Sequence, residues 1–491
     1  MPPPPRPARW AALALLAVAG VWLAPRPSLA DADGSEAQVR AAIEGVLADP
    51  DLPTAFWGLV VRDARTGRVV LSRNAEKSFL PASNLKILTT AAALDALGPD
   101  FRYTTRLYLL GDVVDSTLVG DLVVRGSGDP TLGSEGRGDP FGAWAAALVD
   151  AGVRRVTGRI VGDDDAFEDA RYGAGWDVTH IASESYAPAA GGLVWADNLV
   201  GIRISGTAAG QPVAFESDPP GFVTVRGDVR TGGRGRLDVE RTLGTDEFRL
   251  RGVVPTGYRG TLEVPVANPT LFAVHGLANR LAEAGVDVSG ARLVDVDDLD
   301  GPLDYGAAEP LRVYVSPPLA EIVVQINRES DNLYAEQVFR TLGGGAVDAA
   351  EGRVQAFVTG AGADGDALVV ADGSGLSRKN LVPPDALAAV LRAMRSHPAR
   401  AAFLGSLPEG GGAESTLRNR LGGVSVRAKT GSLAAVRCLA GYVDGPDGTP
   451  YVFVLMANNY TTRGGRIAAA QDRIVRAIAT GGRPPTDEDD G

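Results

Sequence analysis

The 491-residue chain reads as a multidomain α/β protein. Short apolar runs broken by Gly, Pro and Asp fill residues 100–267, and helical spacing lies on both sides of them. Strand patterns return late, at 424–428, 436–443 and 452–457. Together these predict a helix-and-sheet body split by a mainly β insertion. Hydrophobic residues make up 45% and charged residues 22% of the chain, a balance that excludes a disordered protein.

The first element is an export signal. Arg6 and Arg9 precede an apolar run, 10–24, and Ser28-Leu-Ala30 offers small residues for cleavage. The run is about 15 residues, short of the roughly 20 that span a bilayer. Residues 1–30 are therefore expected to leave the mature chain, with an uncleaved anchor as the alternative. Next comes a hairpin over 55–72, apolar at 57–61, turning through Asp63-Ala-Arg-Thr-Gly67 and returning at 68–72. A helix follows, opened by Pro81 and closed by Gly98, with Ser83, Ile87, Ala91 and Leu94 along one face.

The insertion spans 99–267, one or two mainly β units, with Tyr103–Thr105 as the outgoing crossing and one helix around Phe141, Trp144 and Leu148. The helical body, begun at 31–98, resumes over 268–480. Its stripes are Leu271, Val274, Leu277, Ala278 and Leu281, then 319–326 and 333–339, and last Ile467, Ala470, Ile474 and Ile478. Residues 481–491, all Gly, Pro, Thr, Arg and acid, are expected to be disordered, and nothing there resembles a membrane anchor.

Composition removes several functions. The net charge is −12 with no strongly basic block, which argues against nucleic acid. Cys438 is the only cysteine, so no disulfide forms within the chain, and its apolar run marks it as buried and inert. With three histidines and no His-Glu-x-x-His or Cys-x-x-Cys, a zinc enzyme is not expected and no cofactor is called for. Asp295-Val-Asp-Asp-Leu-Asp300 lacks the Gly and distal Glu of a helical calcium loop and reads as a solvated turn. A Gly-x-Ser-x-Gly elbow is absent.

Lysine carries the strongest signal. The chain has four: Lys77, Lys86, Lys379 and Lys429. Arginine supplies the rest of the positive charge, and a guanidinium does not lose its proton in proteins. A buried or cation-crowded amine does. Lys86 lies in Ser83-x-x-Lys86, the one Ser-x-x-Lys in the chain, and Lys429 in Lys429-Thr430-Gly431-Ser432. Between them stands Ser330-Asp-Asn332.

Serine needs a base to become a nucleophile, and Lys86 is one helical turn from Ser83. Burial, the helix N-terminus and a nearby cation, Lys429, would lower the Lys86 pKa. Ser330 suits a proton relay to a leaving amine, and Asn332 suits holding Lys86 or a substrate amide. Lys429, Thr430 and Ser432 suit a carboxylate. The N–H groups of Ser83 and Ser432 suit an oxyanion, worth about 3–4 kcal/mol in a transition state.

The three motifs in this order resemble those of low-molecular-mass class C penicillin-binding proteins, the D-alanyl-D-alanine carboxypeptidase/endopeptidase family. The long stretch from Ser83 to Ser330 is similar to that family's insertion. So are Gly120-Asp-Leu, Gly126-Ser-Gly-Asp-Pro-Thr-Leu132, Gly158–Asp163 to Phe167, Gly175-Trp176, Tyr186-Ala-Pro188 and Asp372-Gly-Ser-Gly-Leu-Ser-Arg378. One departure follows Pro188, where the chain runs Ala-Ala-Gly-Gly-Leu-Val-Trp195.

The resemblance implies a β-lactamase/transpeptidase-like domain, a central antiparallel sheet flanked by helices, with one inserted domain nested in another. It implies an exported serine hydrolase of peptidoglycan stem peptides that β-lactams trap at Ser83. It also implies that Arg378 and Asp163 contact the stem-peptide side chain. A DD-endopeptidase and a catalytically silent wall-binding scaffold remain as alternatives.

Overall fold

The computed structural model describes residues 34–483 apart from 53, 234 and 414. The expected signal, 1–30, and most of the expected disordered tail lie outside the described residues.

A five-stranded antiparallel sheet centres the body, in the order Val426–Leu433, Val436–Asp444, Pro450–Asn458, Phe56–Asp63 and Val69–Arg73. Two strands come from the start of the chain and three from the end, so the sheet closes only after the insertion has been made. Successive side chains alternate between faces. Trp57, Leu59 and Val61 enter one core, with Ile43, Ile467 and Ile474 from helices Gly34–Leu47 and Gly464–Ala479. Val60 enters the other, with Ile87, Phe339 and Leu387 from helices Leu85–Ala96, Asn332–Leu342 and Pro384–Met394. Both faces are covered, which is why the late strands read as continuous apolar runs. Cys438 sits buried in one of them, and burial pushes its thiol pKa up.

The hairpin is as expected. The next helix opens later than Pro81 suggested: a 3-10 turn, Ala82–Asn84, precedes Leu85–Ala96.

The insertion holds a mixed sheet ordered Arg292–Asp295, Arg159–Asp163, Thr117–Arg125, Thr104–Val114 and Arg312–Val315, with Arg155–Val156 also paired to Thr117–Arg125. Two three-stranded sheets follow, from strands between Leu199 and Pro265. One apolar core, including Phe141, Trp195, Phe248 and Phe272, joins them to the mixed sheet.

The return at 268 needs correction. Helix Pro269–Glu283 packs on Arg159–Asp163, and Arg312–Val315 pairs with Thr104–Val114. The chain stays with the insertion as far as Val315. It then recrosses beside its exit, where the Tyr103 N–H donates to Ser316 Oγ (2.9 Å) and the Leu319 N–H to the Phe101 carbonyl (2.8 Å). Helical spacing identified a helix there but carries no information about which sheet it covers. The Asp295 run is a turn, as expected, with Asp297, Asp298 and Asp300 exposed; only Asp295 is drawn in, buried and accepting from Asn268 Nδ2 (2.8 Å).

Candidate active site

Ser83 and Lys86 stand at the junction of the 3-10 turn and the helix, three residues apart and on one face. Lys86 is fully buried, and its Nζ lies 3.1 Å from Ser83 Oγ, 2.6 Å from Asn332 Oδ1 and 2.7 Å from the Ser374 carbonyl. Two of these neighbours only accept hydrogen bonds. A neutral amine has two N–H donors and one lone pair. Donation to Asn332 and Ser374 leaves the lone pair facing the Ser83 hydroxyl. Burial pulls the Lys86 pKa down to about 8, opposed by the charges of Asp372, Asp331 and Glu336.

Lys429 is also fully buried, on the strand Val426–Leu433. Its Nζ donates to Ser330 Oγ (2.9 Å) and the Thr430 carbonyl (3.0 Å). Burial and the Lys86 charge both push its pKa well down. Two ammonium groups in one buried site repel, so the pair sheds a proton more readily than either would alone.

Backbone geometry brings these groups together. Ala82, just before Ser83, has φ +46°, a left-handed conformation costing a non-glycine residue about 1 kcal/mol. Ser330, with φ +65°, ends the Gln325–Glu329 turn. Asp331 then caps helix Asn332–Leu342 by accepting from the Tyr334 N–H (3.0 Å). Gly375, at φ +85°, passes so close that a Cβ there would lie 1.9 Å from the Ala82 carbonyl. At Gly431 a Cβ would lie 2.8 Å from the Pro81 carbonyl, so the Lys-Thr-Gly strand abuts the serine turn only because it has no side chain there.

The loop 372–380 is tied down by buried acids. Asp372 accepts from Gly375 N–H (2.8 Å), Ser377 N–H (2.6 Å), Asn380 Nδ2 (2.7 Å) and Trp176 Nε1 (2.8 Å). Glu336 accepts from the N–H groups of Gly373 (3.0 Å) and Ser374 (2.9 Å), and burial raises its pKa to about 7. These contacts fix the carbonyl that Lys86 uses. The insertion contributes directly: Trp176 reaches Asp372, the Tyr186 carbonyl accepts from Asn332 Nδ2 (2.7 Å), and the Ala174 carbonyl accepts from Ser377 Oγ (2.5 Å).

Ser83 opens into a cavity of about 390 Å³ lined by Ser330, Asn332, Arg378, Ser432, Asp177 and His180. Thr430 and Gly431 precede Ser432 on the same strand and line the adjoining cavity, which also includes Ser432. Thus Ser83, Lys86, Ser330, Asn332, Lys429, Thr430, Gly431, Ser432 and Arg378 are brought together. Asp163 is not. It is buried in the insertion sheet, bonded to the Tyr305 hydroxyl and 3.4 Å from Arg125 Nε. The acid in the cavity wall near Arg378 is Asp177.

Trp195, the departure from the expected pattern, packs between Phe141 and Phe272 in the insertion core rather than in the wall. Sequence reasoning missed Asp372, Glu336 and Asp177. The first stands in a segment already singled out, and its spacing before Ser377 and Asn380 is that of an acid bonding its own loop. Glu336 gave no signal, since a glutamate on a helix is ordinarily solvated.

Comparison with known proteins agrees with this geometry. A family model described as D-Ala-D-Ala carboxypeptidase 3 (S13) family matches residues 39–480. The chain is 33% identical over 477 residues to a D-alanyl-D-alanine carboxypeptidase of Actinomadura sp. (strain R39), covering 92% of this chain and 87% of that one. Penicillin binding protein 4 (dacB) of Haemophilus influenzae superposes with a TM-score of 0.77 at 22% identity, covering 89% of this chain and 99% of that chain. A second structure of that protein, complexed with a β-lactam, gives 0.71. A transpeptidase/β-lactamase-like body with Ser83, Lys86 and Lys429 converging on one cavity, and a family match along nearly its whole described length, place this chain in the D-Ala-D-Ala carboxypeptidase (S13) family of serine hydrolases.

Proposed function

We propose that Ser83 is the nucleophile of a D-alanyl-D-alanine carboxypeptidase acting on peptidoglycan stem peptides, with neutral Lys86 as its base. One observation carries this: Lys86 Nζ is 3.1 Å from Ser83 Oγ while its other two partners are acceptors. Lys86 takes the hydroxyl proton as Oγ attacks the carbonyl of the penultimate D-alanine. The N–H groups of Ser83 and Ser432 receive the developing oxyanion. The proton that Lys86 has taken is then relayed through Ser330, held by Lys429, to the leaving nitrogen, which leaves Ser330 a hydroxyl and Lys86 a neutral amine. The C–N bond breaks, D-alanine departs and the acyl group stays on Ser83 until water removes it.

Thr430 and Ser432 offer hydroxyls to the terminal carboxylate. Arg378 and Asp177, of opposite charge in one wall, suit a stem-peptide side chain carrying both an amine and a carboxylate. A β-lactam enters as the same kind of acyl donor and stalls at the acyl-enzyme. The substrate lies in the cell wall, which fits an exported protein and the signal pattern at 1–30. No helix among the described residues is long and apolar enough to cross a membrane.

Labelling of purified protein by a fluorescent penicillin, abolished in Ser83→Ala, is the expected result. Unlabelled wild-type protein, or release of no D-alanine from a pentapeptide stem, overturns the reading and favours a silent scaffold.

A further inference from the structure

Helix Asn332–Leu342 carries Asn332, Glu336 and Arg340 in steps of four, so the three share one side of it. The helix is pressed against the loop that serves Lys86. At Gly373 a Cβ would lie 2.3 Å from Phe339 Cβ and 2.5 Å from the Ala335 carbonyl. Asn332 holds Lys86 Nζ directly, at 2.6 Å. Glu336 holds it through the loop. One carboxylate oxygen accepts from the Gly373 and Ser374 N–H groups, and the Ser374 carbonyl accepts from Lys86 Nζ. Arg340, the third of the row, lines neither cavity beside the Lys-Thr-Gly strand.

Arg340 is fully buried, and all three of its guanidinium nitrogens lack a hydrogen-bond partner among the described residues. A guanidinium does not shed its proton, so the charge stays in the interior. Burying a cation without acceptors is costly, and an apolar side chain would fill the space without that cost. The charge meets two carboxylates, Glu336 one turn back and Glu168 from the insertion. Glu168 is exposed, and water screens it. Glu336 is buried, so it and Arg340 act on each other with little screening. Glu336 also faces Asp372. Lys86 faces Asp372, Asp331 and Glu336, each of which favours its ammonium form, and it shares its site with Lys429. A Glu336 carboxylate with no countercharge would either take up a proton or hold Lys86 protonated. The first loosens the Ser374 carbonyl, and the second removes the base.

We propose that Arg340 is a positioning residue of the acylation step: its buried charge keeps Glu336 a carboxylate that grips the Ser374 loop, and it offsets the pull of that carboxylate on Lys86. The inference rests on the acyl-enzyme reading above. One helix then supplies the base with an acceptor at Asn332, an anchor for its second acceptor at Glu336, and a countercharge at Arg340. Removing a cation from this interior raises the pKa of both Glu336 and Lys86, so acylation needs a higher pH. Removing an anion does the reverse.

The test is the pH midpoint of acylation by a fluorescent penicillin, followed by stopped flow on the full protein. Arg340→Met moves the midpoint up by about one unit, read as acylation about tenfold slower at neutral pH. Glu336→Gln, whose amide oxygen can still accept from both N–H groups, moves it down. The double variant Arg340→Met/Glu336→Gln lies between the two single variants, near wild type, because each change cancels the other's charge. A role confined to packing lowers stability and rate without moving the midpoint, and removing Glu336 does not relieve it. Glu336→Gln carries the test alone where Arg340→Met does not fold. An unmoved midpoint in Glu336→Gln or in a labelled Arg340→Met, or a double variant as displaced as Arg340→Met, overturns the role of Arg340. Wild-type protein that no penicillin labels overturns the acyl-enzyme reading, and the role of Arg340 with it.

Discussion

Two buried polar clusters in this molecule differ in one respect that matters. Around Asp163, the carboxylate meets the Tyr305 hydroxyl and Arg125, whose guanidinium also lies 4.7 Å over the Tyr305 ring. Each charge is answered, and Asp163 lines neither of the two cavities beside the Lys-Thr-Gly strand. Around Lys86, two amines share one buried site that disfavours charging both, and the lone pair of the neutral Lys86 amine faces a serine hydroxyl at the edge of a cavity. Burial of charge is common to both. The second cluster leaves unspent the basicity of an amine, and chemistry requires that reserve.

The contrast can be broken most sharply at Lys86. Lys86→Arg keeps the charge and removes the base, so penicillin acylation falls about a thousandfold or more. Near-normal labelling would show that no neutral amine is needed.

Acidity probes the same group. In the proposed mechanism Lys86 acts without its proton; burial lowers its pKa to about 8, so the active form is lost as pH falls below that value. Acylation should drop by about fiftyfold from pH 8 to about pH 6 in stopped-flow measurements, tending to tenfold per unit. A flat profile would assign the base elsewhere.

Trp176→Phe sharpens the comparison by removing one donor from Asp372 and keeping the ring. The loss of a hydrogen bond to a buried carboxylate costs about 1.5–3 kcal/mol of stability, read by thermal denaturation, and loosening of the loop slows acylation about fivefold. At the other cluster, Asp163→Asn should cost about 1 kcal/mol in denaturant unfolding and leave acylation within about twofold. A large loss of acylation there would return Asp163 to the site.

Much of this was legible in the residues. A serine and a lysine three apart on a helix must share a face, and a lysine retained where arginine is otherwise used points to a proton. The hairpin, the apolar late strands and the stripe Ile467, Ala470, Ile474 and Ile478 follow from local periodicity, and all four of these residues are buried as expected. The return from the insertion was misplaced because amphipathic spacing in Pro269–Glu283 shows that one face is covered, not by what. Asp163 was misassigned because an acid at the end of a strand looks the same whether its partner is a tyrosine 142 residues away or a substrate.

Local pattern in the chain therefore singled out the residues of the proposed chemistry: the serine that would attack, the lysine that would take its proton, and the strand that carries the second lysine. Spacing along a helix or strand fixes neighbours within one element and nothing beyond it. The Lys86 pKa, the Asp372 clasp on its loop and the contribution of Trp176 and Tyr186 from the insertion all depend on contacts between elements far apart in sequence. Those contacts, and the loss of water that gives them their strength, exist only once the sheet has closed around both ends of the chain.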